Sequence, residues 1–379
     1  MGWLSVSVLL ASLTRKPPLP PRIHPFSSPL PPPTLLPPRY AGTFGMREGI
    51  EYIVSDPIAS PLDRYAYYAE KLAIIPTCFH PMHQALEYGS STDDTDDVSR
   101  ESSDVAPTSH TYPSREPRET YGIPHDASFV FCDFNAHFKF DPATFHMWMR
   151  ILTRVPGSVL WLQRDKSDLK EVRANLAREA RARGVDAARV VFLNGWLPAD
   201  EHLIAKSHCD LFLDTLHYNA HVTAADAIWA GVPVLTMPGE AMASRLGASI
   251  AVASGNGAMV VWQQGKEGGD GGEGMEGVAA YEERAVELAT NATAMAAAKA
   301  SAVAARASPL YRLSAKVREV ETAFLMMAEL KRAGVGPYHL LLAEEPEAAG
   351  QAAEEAAREG RGGDGDAADR IPQPMRDEL

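Results

Sequence analysis

Between residues 128 and 240 the chain alternates short unbroken apolar runs with longer segments in which apolar residues return every three or four positions. The runs at 129–132, 159–162, 190–193, 210–213 and 233–237 read as strands. A half-solvated strand alternates apolar with polar residues, so continuous runs of this length predict strands covered on both faces. The segments between them read as helices. One opens at Asp141, an N-cap residue followed by Pro142 in the first turn, and carries Met147, Trp148 and Ile151 on its apolar side. Others are expected at 169–183 and 199–207, and a fourth opens near His221. Five buried strands alternating with helices predict an α/β fold, a Rossmann-like parallel sheet with helices on both faces. Ligands of such sheets lie outside the carboxyl ends of the strands.

Patterning outside this block divides the rest of the chain. Residues 1–39 are crowded with proline and predict a disordered, polyproline-prone leader. Residues 40–88 form a compact segment, with a strand at 50–56 and a helix over 62–73 opened by Pro61. Residues 89–125 are acidic and rich in Ser and Thr, which predicts a solvated, disordered loop. The Rossmann-like domain then covers 126–255, and a glycine-rich acidic insertion follows at 256–278. Alanine-rich helices at 279–307 and 313–333 fill 279–340. The Ala/Glu tail at 341–379 is expected to lack a core.

Composition changes this picture only by exclusion. Of 379 residues 45% are hydrophobic, enough for a core, and the formal net charge is −13. That charge argues against a nucleic-acid partner or an anionic membrane surface, and no apolar window is long enough for a membrane span. Cys78, Cys132 and Cys209 are far apart and form no CxxC, so neither zinc nor a disulfide is expected, and a reducing compartment is the default. The faint apolar run over residues 1–12 has no basic residues before it, and Arg376-Asp-Glu-Leu379 resembles a retention address without an entry signal. The expected location is cytoplasmic or nuclear.

The strand ends offer three polar clusters: Asn135 to Lys139, residues 196–202 ending in His202, and His221 with Thr223 and Asp226. A helix start after a strand presents unpartnered amides and the positive end of a dipole, a seat for phosphate. His221 and Thr223 occupy that start, and Asp226, one turn inside, can take a ribose hydroxyl. The pattern suggests nucleotide-sugar binding; a generic strand-turn-helix unit with a chance histidine fits the spacing equally well. Trp148, Trp161 and Trp229 read as core. His80, His83, His137 and His217 fall in loops without paired carboxylates and receive no role. Lacking GxGxxG after an early strand, the chain does not read as a dinucleotide dehydrogenase.

Many separate blocks resemble one family. Tyr52-Ile-Val-Ser-Asp56, Tyr68-Ala-Glu-Lys-Leu72, Phe134-Asn135 with Lys139-Phe-Asp-Pro142, residues 148–162, Glu201-His202, Leu213-Asp-Thr215 and residues 226–245 recur in the order of the C-terminal part of the protein O-GlcNAc transferase family. These are GT-B glycosyltransferases, which also include the Spindly-type fucosyltransferases. The resemblance implies a GT-B fold whose C-terminal lobe is largely complete and whose N-terminal lobe is truncated, with 40–88 its remnant. It implies a donor, UDP-GlcNAc, protein Ser or Thr hydroxyls as acceptors, and an inverting transfer that uses no metal cofactor. Lys139 would contact the diphosphate as the catalytic cation, His202 would stack on uracil, and Asp226 would hold the ribose. His221 and Thr223 would bind phosphate with the amide of Val222, and Ala136 and Leu197 are further donor-contact positions. The chain departs from the family at Ala136, where a glutamine is usual, at Ala199 and Ala205, where a lysine and an arginine are usual, and at Val222, where the first threonine of His-Thr-Thr stands. Fucosyl transfer from GDP-fucose and a non-catalytic nucleotide-sugar-binding module are the other readings.

Overall fold

The computed structural model describes residues 41–43, 45, 49–88, 116–164, 170–195, 197–262 and 275–343. The proline-rich leader, most of the acidic loop, the glycine-rich insertion from residue 263 and the tail from residue 344 lie outside the described residues.

A five-stranded parallel sheet forms the centre. Its strands are β3 (Phe129–Asp133), β4 (Ser158–Leu162), β5 (Val190–Phe192), β6 (Leu211–Leu213) and β7 (Val234–Leu235), in the order β5-β4-β3-β6-β7. The two faces follow from the side-chain period of two. Val130, Cys132, Val159, Trp161, Phe212 and Val234 enter one buried cluster, and Phe129, Phe131, Leu160, Leu162, Leu211, Leu213 and Leu235 the other. Both faces are covered, as the unbroken apolar runs required. A second parallel sheet orders β1 (Tyr52–Ser55), β2 (Lys71–Ile74) and β8 (Leu340–Leu341) side by side.

The helices are α1 (Gln84–Tyr88), α2 (Pro142–Arg154), α3 (Lys170–Ala182), α4 (Ala199–Lys206), α5 (Val222–Trp229), α6 (Leu246–Ala253), α7 (Met275–Thr290), α8 (Ala292–Ala304) and α9 (Leu313–Arg332). Asp141 caps α2 as expected, its carboxylate accepting from the Thr144 amide at 2.8 Å. Among the described residues no helix is long and apolar enough to cross a membrane.

Three expectations are corrected. The helix expected over 62–73 is a 3-10 turn, Leu62–Tyr67, followed by β2. Tyr65, Tyr68 and Leu72 have helical spacing, but the chain turns extended at Tyr68, and β2 supplies the parallel partner that β1 needs. The helix expected over 279–307 is broken at Asn291, whose side chain caps α8 by accepting from the Thr293 and Ala294 amides. Finally, Cys132 and Cys209 form a disulfide across 77 residues. Cys132 lies in β3 and Cys209 just before the adjacent β6, so strand order brings together residues that spacing keeps apart. Cys78 is free and buried; the argument for a reducing compartment loses its premise.

Candidate functional site

The chain begins the sheet at β3, adds β4 and β5 on one side, then returns to add β6 and β7 on the other. The loops leaving the carboxyl ends of β3 and β6 therefore diverge, which opens the crevice where open α/β sheets bind ligands. Lys139 ends a 3-10 turn, His137–Lys139, in the loop after β3, and His221 stands at the N-cap of α5 after β6. Both flank one ring: the Lys139 ammonium lies 4.3 Å from the centroid of Tyr218, and the His221 ring lies 5.2 Å from it. Lys139 Nζ also donates to the Asn219 carbonyl at 2.9 Å and to Asn135 Oδ1 at 3.3 Å. Sequence reasoning named Lys139 and His221 separately, and the structure brings them together.

Electrostatics around this pair separate charge from neutrality. Burial lowers the Lys139 pKa, and the carboxylates of Asp214 and Asp133 oppose that shift. His221 is driven down to about 3 by burial, then by the Lys139 charge and His80. It is a neutral imidazole at physiological pH, and its Nε2 is buried without a hydrogen-bond partner. Val222 and Thr223 form the first turn of α5, so two more positions from the sequence lie at the same helix start. Ala136 is exposed at the beginning of the Lys139 turn, where it offers backbone alone.

A second group lies farther along α5. Asp226 accepts from Lys206 Nζ at 3.0 Å through one oxygen and from Gln84 Nε2 at 2.8 Å through the other. His202, on α4, packs edge-on to Phe134 at 5.6 Å. Its pKa falls to about 4, first by burial, then by Lys206, with Asp226 opposing. His202 and Asp226 thus share one environment. Leu197 is half-buried against the cluster that contains Phe134. Sequence reasoning missed Lys206 and Gln84. The signal for Lys206 was its place directly after Ala205, where the family's arginine is absent; Gln84 carried none, because it arrives from α1, outside the sheet.

Also missed was a buried acid pair at the ends of β3 and β6. Asp214 accepts from the amides of Thr215 and Ala220 at 2.9 and 2.7 Å and from the Thr236 hydroxyl at 2.8 Å. Asp133 accepts from the Asn135 amide and side chain at 3.1 and 2.8 Å, while its Oδ2 has no partner. Burial pushes Asp133 up to about 8 and Asp214 up to about 6. A carboxyl with a raised folded-state pKa stabilises the fold most below its unfolded pKa, and that contribution is lost as pH rises toward the folded value. His202 and His221, whose folded pKa values are lowered, add stability as pH rises toward about 6.5 and nothing beyond. Between pH 6.5 and 8 Asp133 lowers stability, while Asp56, raised by burial, and Lys139 and Lys206, lowered by burial, bring their own trends. Thermal unfolding across that window is expected to show a less negative dependence of stability on pH in Asp133→Asn than in the unsubstituted protein. An unchanged slope in the variant contradicts the assignment.

The unassigned histidines need correction. His217 pairs with Asp141 at 3.1 Å and His83 with Glu87 at 2.9 Å, so both have carboxylate partners. His80 sits 6.3 Å from His221 and belongs beside the site.

Comparisons with known proteins agree on one family. Residues 99–319 match the description Glycosyl transferase family 41. The chain is 32% identical over 306 residues to an Arabidopsis thaliana protein, the probable UDP-N-acetylglucosamine–peptide N-acetylglucosaminyltransferase SEC, covering 80% of this chain and 28% of that protein. It is 41% identical over 138 residues to the Caenorhabditis elegans UDP-N-acetylglucosamine–peptide N-acetylglucosaminyltransferase, covering 36% of this chain and 12% of that one. In fold it is similar to a variant of the Thermobaculum terrenum O-GlcNAc transferase, with a TM-score of 0.57 and 23% identity over 76% of this chain and 46% of the other. The chain therefore spans well under a third of the length of the first two relatives.

Proposed function

The chain belongs to glycosyl transferase family 41, and from that premise we propose that its GT-B C-terminal lobe binds UDP-GlcNAc for transfer of GlcNAc to Ser or Thr hydroxyls of proteins. The observation that carries the reading is the convergence of Lys139 and the His221 helix start on the ring of Tyr218, at the crevice between β3 and β6. The pyrophosphate would lie against Lys139, His221, Thr223 and the Val222 amide. The nucleoside would extend toward His202 and Asp226.

In this reaction the bond from the anomeric carbon to the β-phosphate oxygen breaks while a bond to the acceptor oxygen forms. One displacement inverts the anomeric centre and releases UDP and the hydroxyl proton. Negative charge grows on the diphosphate as the bond breaks. A fixed cation stabilises that charge most in the transition state, the role we assign to Lys139, so the chemistry needs no metal at that position. His221, held neutral, can donate one N–H to a phosphate oxygen without a compensating proton uptake.

Titration calorimetry tests the donor, and transfer of radiolabelled GlcNAc to a Ser/Thr peptide tests the activity. UDP is expected to bind at least about tenfold more tightly than GDP, since each tenfold corresponds to ~1.4 kcal/mol of base discrimination. Tighter GDP binding would move the donor to a GDP-sugar such as GDP-fucose. UDP binding without transfer would leave a binding module. Failure to bind either nucleotide would end the donor reading.

A further inference from the structure

The Tyr218 ring contacts both the cation and the imidazole of the crevice, Lys139 and His221. Its ring stands 4.3 Å from Lys139 Nζ and 5.2 Å from the His221 ring, and Phe138, 79% exposed at the rim, meets it edge-on at 6.3 Å. The loop that carries it is held from beneath: the Thr215 hydroxyl donates to the Tyr218 carbonyl at 2.6 Å, and the Asn219 side chain donates to the Thr215 carbonyl at 2.6 Å. The backbone that carries the ring is therefore held on both sides.

We propose that Tyr218 is a positioning residue for Lys139, its ring face holding the ammonium in place while leaving one N–H free for a ligand oxygen. An ammonium has three donors. The Asn219 carbonyl and Asn135 Oδ1 accept two. A ring face attracts the charge through its quadrupole and needs no directed hydrogen bond. It therefore fixes the group without using the donor that the phosphate requires. The charged groups facing Lys139 are Asp133 from the end of β3 and Asp214 from the end of β6, with His221 at the start of α5 held neutral and His80 behind it. Burial works against the ammonium, and both carboxylates and the ring work for it.

The test compares Tyr218→Leu, which removes the ring, with Tyr218→Phe, which keeps it. Lysine NMR in the ligand-free protein, with the Lys139 signal identified by its loss in Lys139→Met, reads the ammonium directly. In Tyr218→Leu the Lys139 titration is expected to move to lower pH, and in Tyr218→Phe to stay with the unsubstituted protein. UDP affinity is expected to weaken roughly threefold to thirtyfold in the leucine variant and less than about twofold in the phenylalanine variant. A Lys139 titration that does not move in Tyr218→Leu overturns the proposal, as does a phenylalanine variant as impaired as the leucine one. The NMR measurement needs no donor, so it stands even where UDP does not bind; that second result defeats the donor reading on which the affinity arm rests.

Discussion

Lys139→Met is expected to lower sugar transfer by about 10²–10³-fold while the protein stays folded. Methionine keeps the length and the apolar stem of lysine but removes the charge. In the resting protein that charge faces Asp133 and Asp214, both fully buried. Asp133, pushed up to about 8, already holds its proton at neutral pH; losing the Lys139 charge raises Asp214 further, so that carboxyl takes up a proton instead of standing as an uncompensated charge. The fold therefore tolerates the change better than the chemistry does. The developing diphosphate charge has no such exit, because the departing diphosphate stays ionised at neutral pH and without the lysine its growing charge meets no cation. Single-turnover transfer assays and thermal unfolding of the same preparation check both halves. Transfer within tenfold of the unsubstituted protein would remove Lys139 from the catalytic role.

The largest stability effect is expected at Asp214. Asp214→Ala strands the amides of Thr215 and Ala220 and the hydroxyl of Thr236, all bound to the carboxylate at 2.9 Å or closer. Buried donors left without partners cost ~1–3 kcal/mol each before relaxation, so urea unfolding is expected to show a loss of about 3–5 kcal/mol. Water cannot easily fill the gap. Gly247 approaches so closely that a Cβ there would lie 2.3 Å from Asp214 Oδ2. Asp214 also ties down both ends of the loop that supplies the Asn219 carbonyl to Lys139 and leads into His221. UDP binding should fall with stability. A loss below about 1 kcal/mol would mean that other contacts hold the loop. Asp214→Asn, which keeps one acceptor oxygen, is expected to lose less than half as much.

The chain announced its main sheet because parallel strands buried on both faces leave a mark that other elements do not. Asp141 and Pro142 likewise marked the start of α2 through groups that act within one turn. The position of Lys139 relative to His221 was legible only through family resemblance, since 81 residues lie between the two in the chain. Other features depended on distant partners. Residues 62–73 have a helical period, yet β1 required a neighbour and drew Lys71–Ile74 into a strand. Asp133 and Asp214 look like ordinary polar residues at strand ends; their burial follows from loops and a glycine contributed elsewhere. The Cys132–Cys209 bridge was invisible for the same reason.

Gln84 reaches Asp226 from α1, a segment that precedes the main sheet in the chain. The acid assigned to ribose is thus gripped from two separate parts of the polypeptide. Whatever settles on Asp226 must share it with that grip or loosen it. By reciprocity, a change in how firmly α1 is seated alters nucleotide affinity by the same factor that the nucleotide alters the seating. Occupancy of the crevice and the order of a short helix outside it become two readings of a single equilibrium.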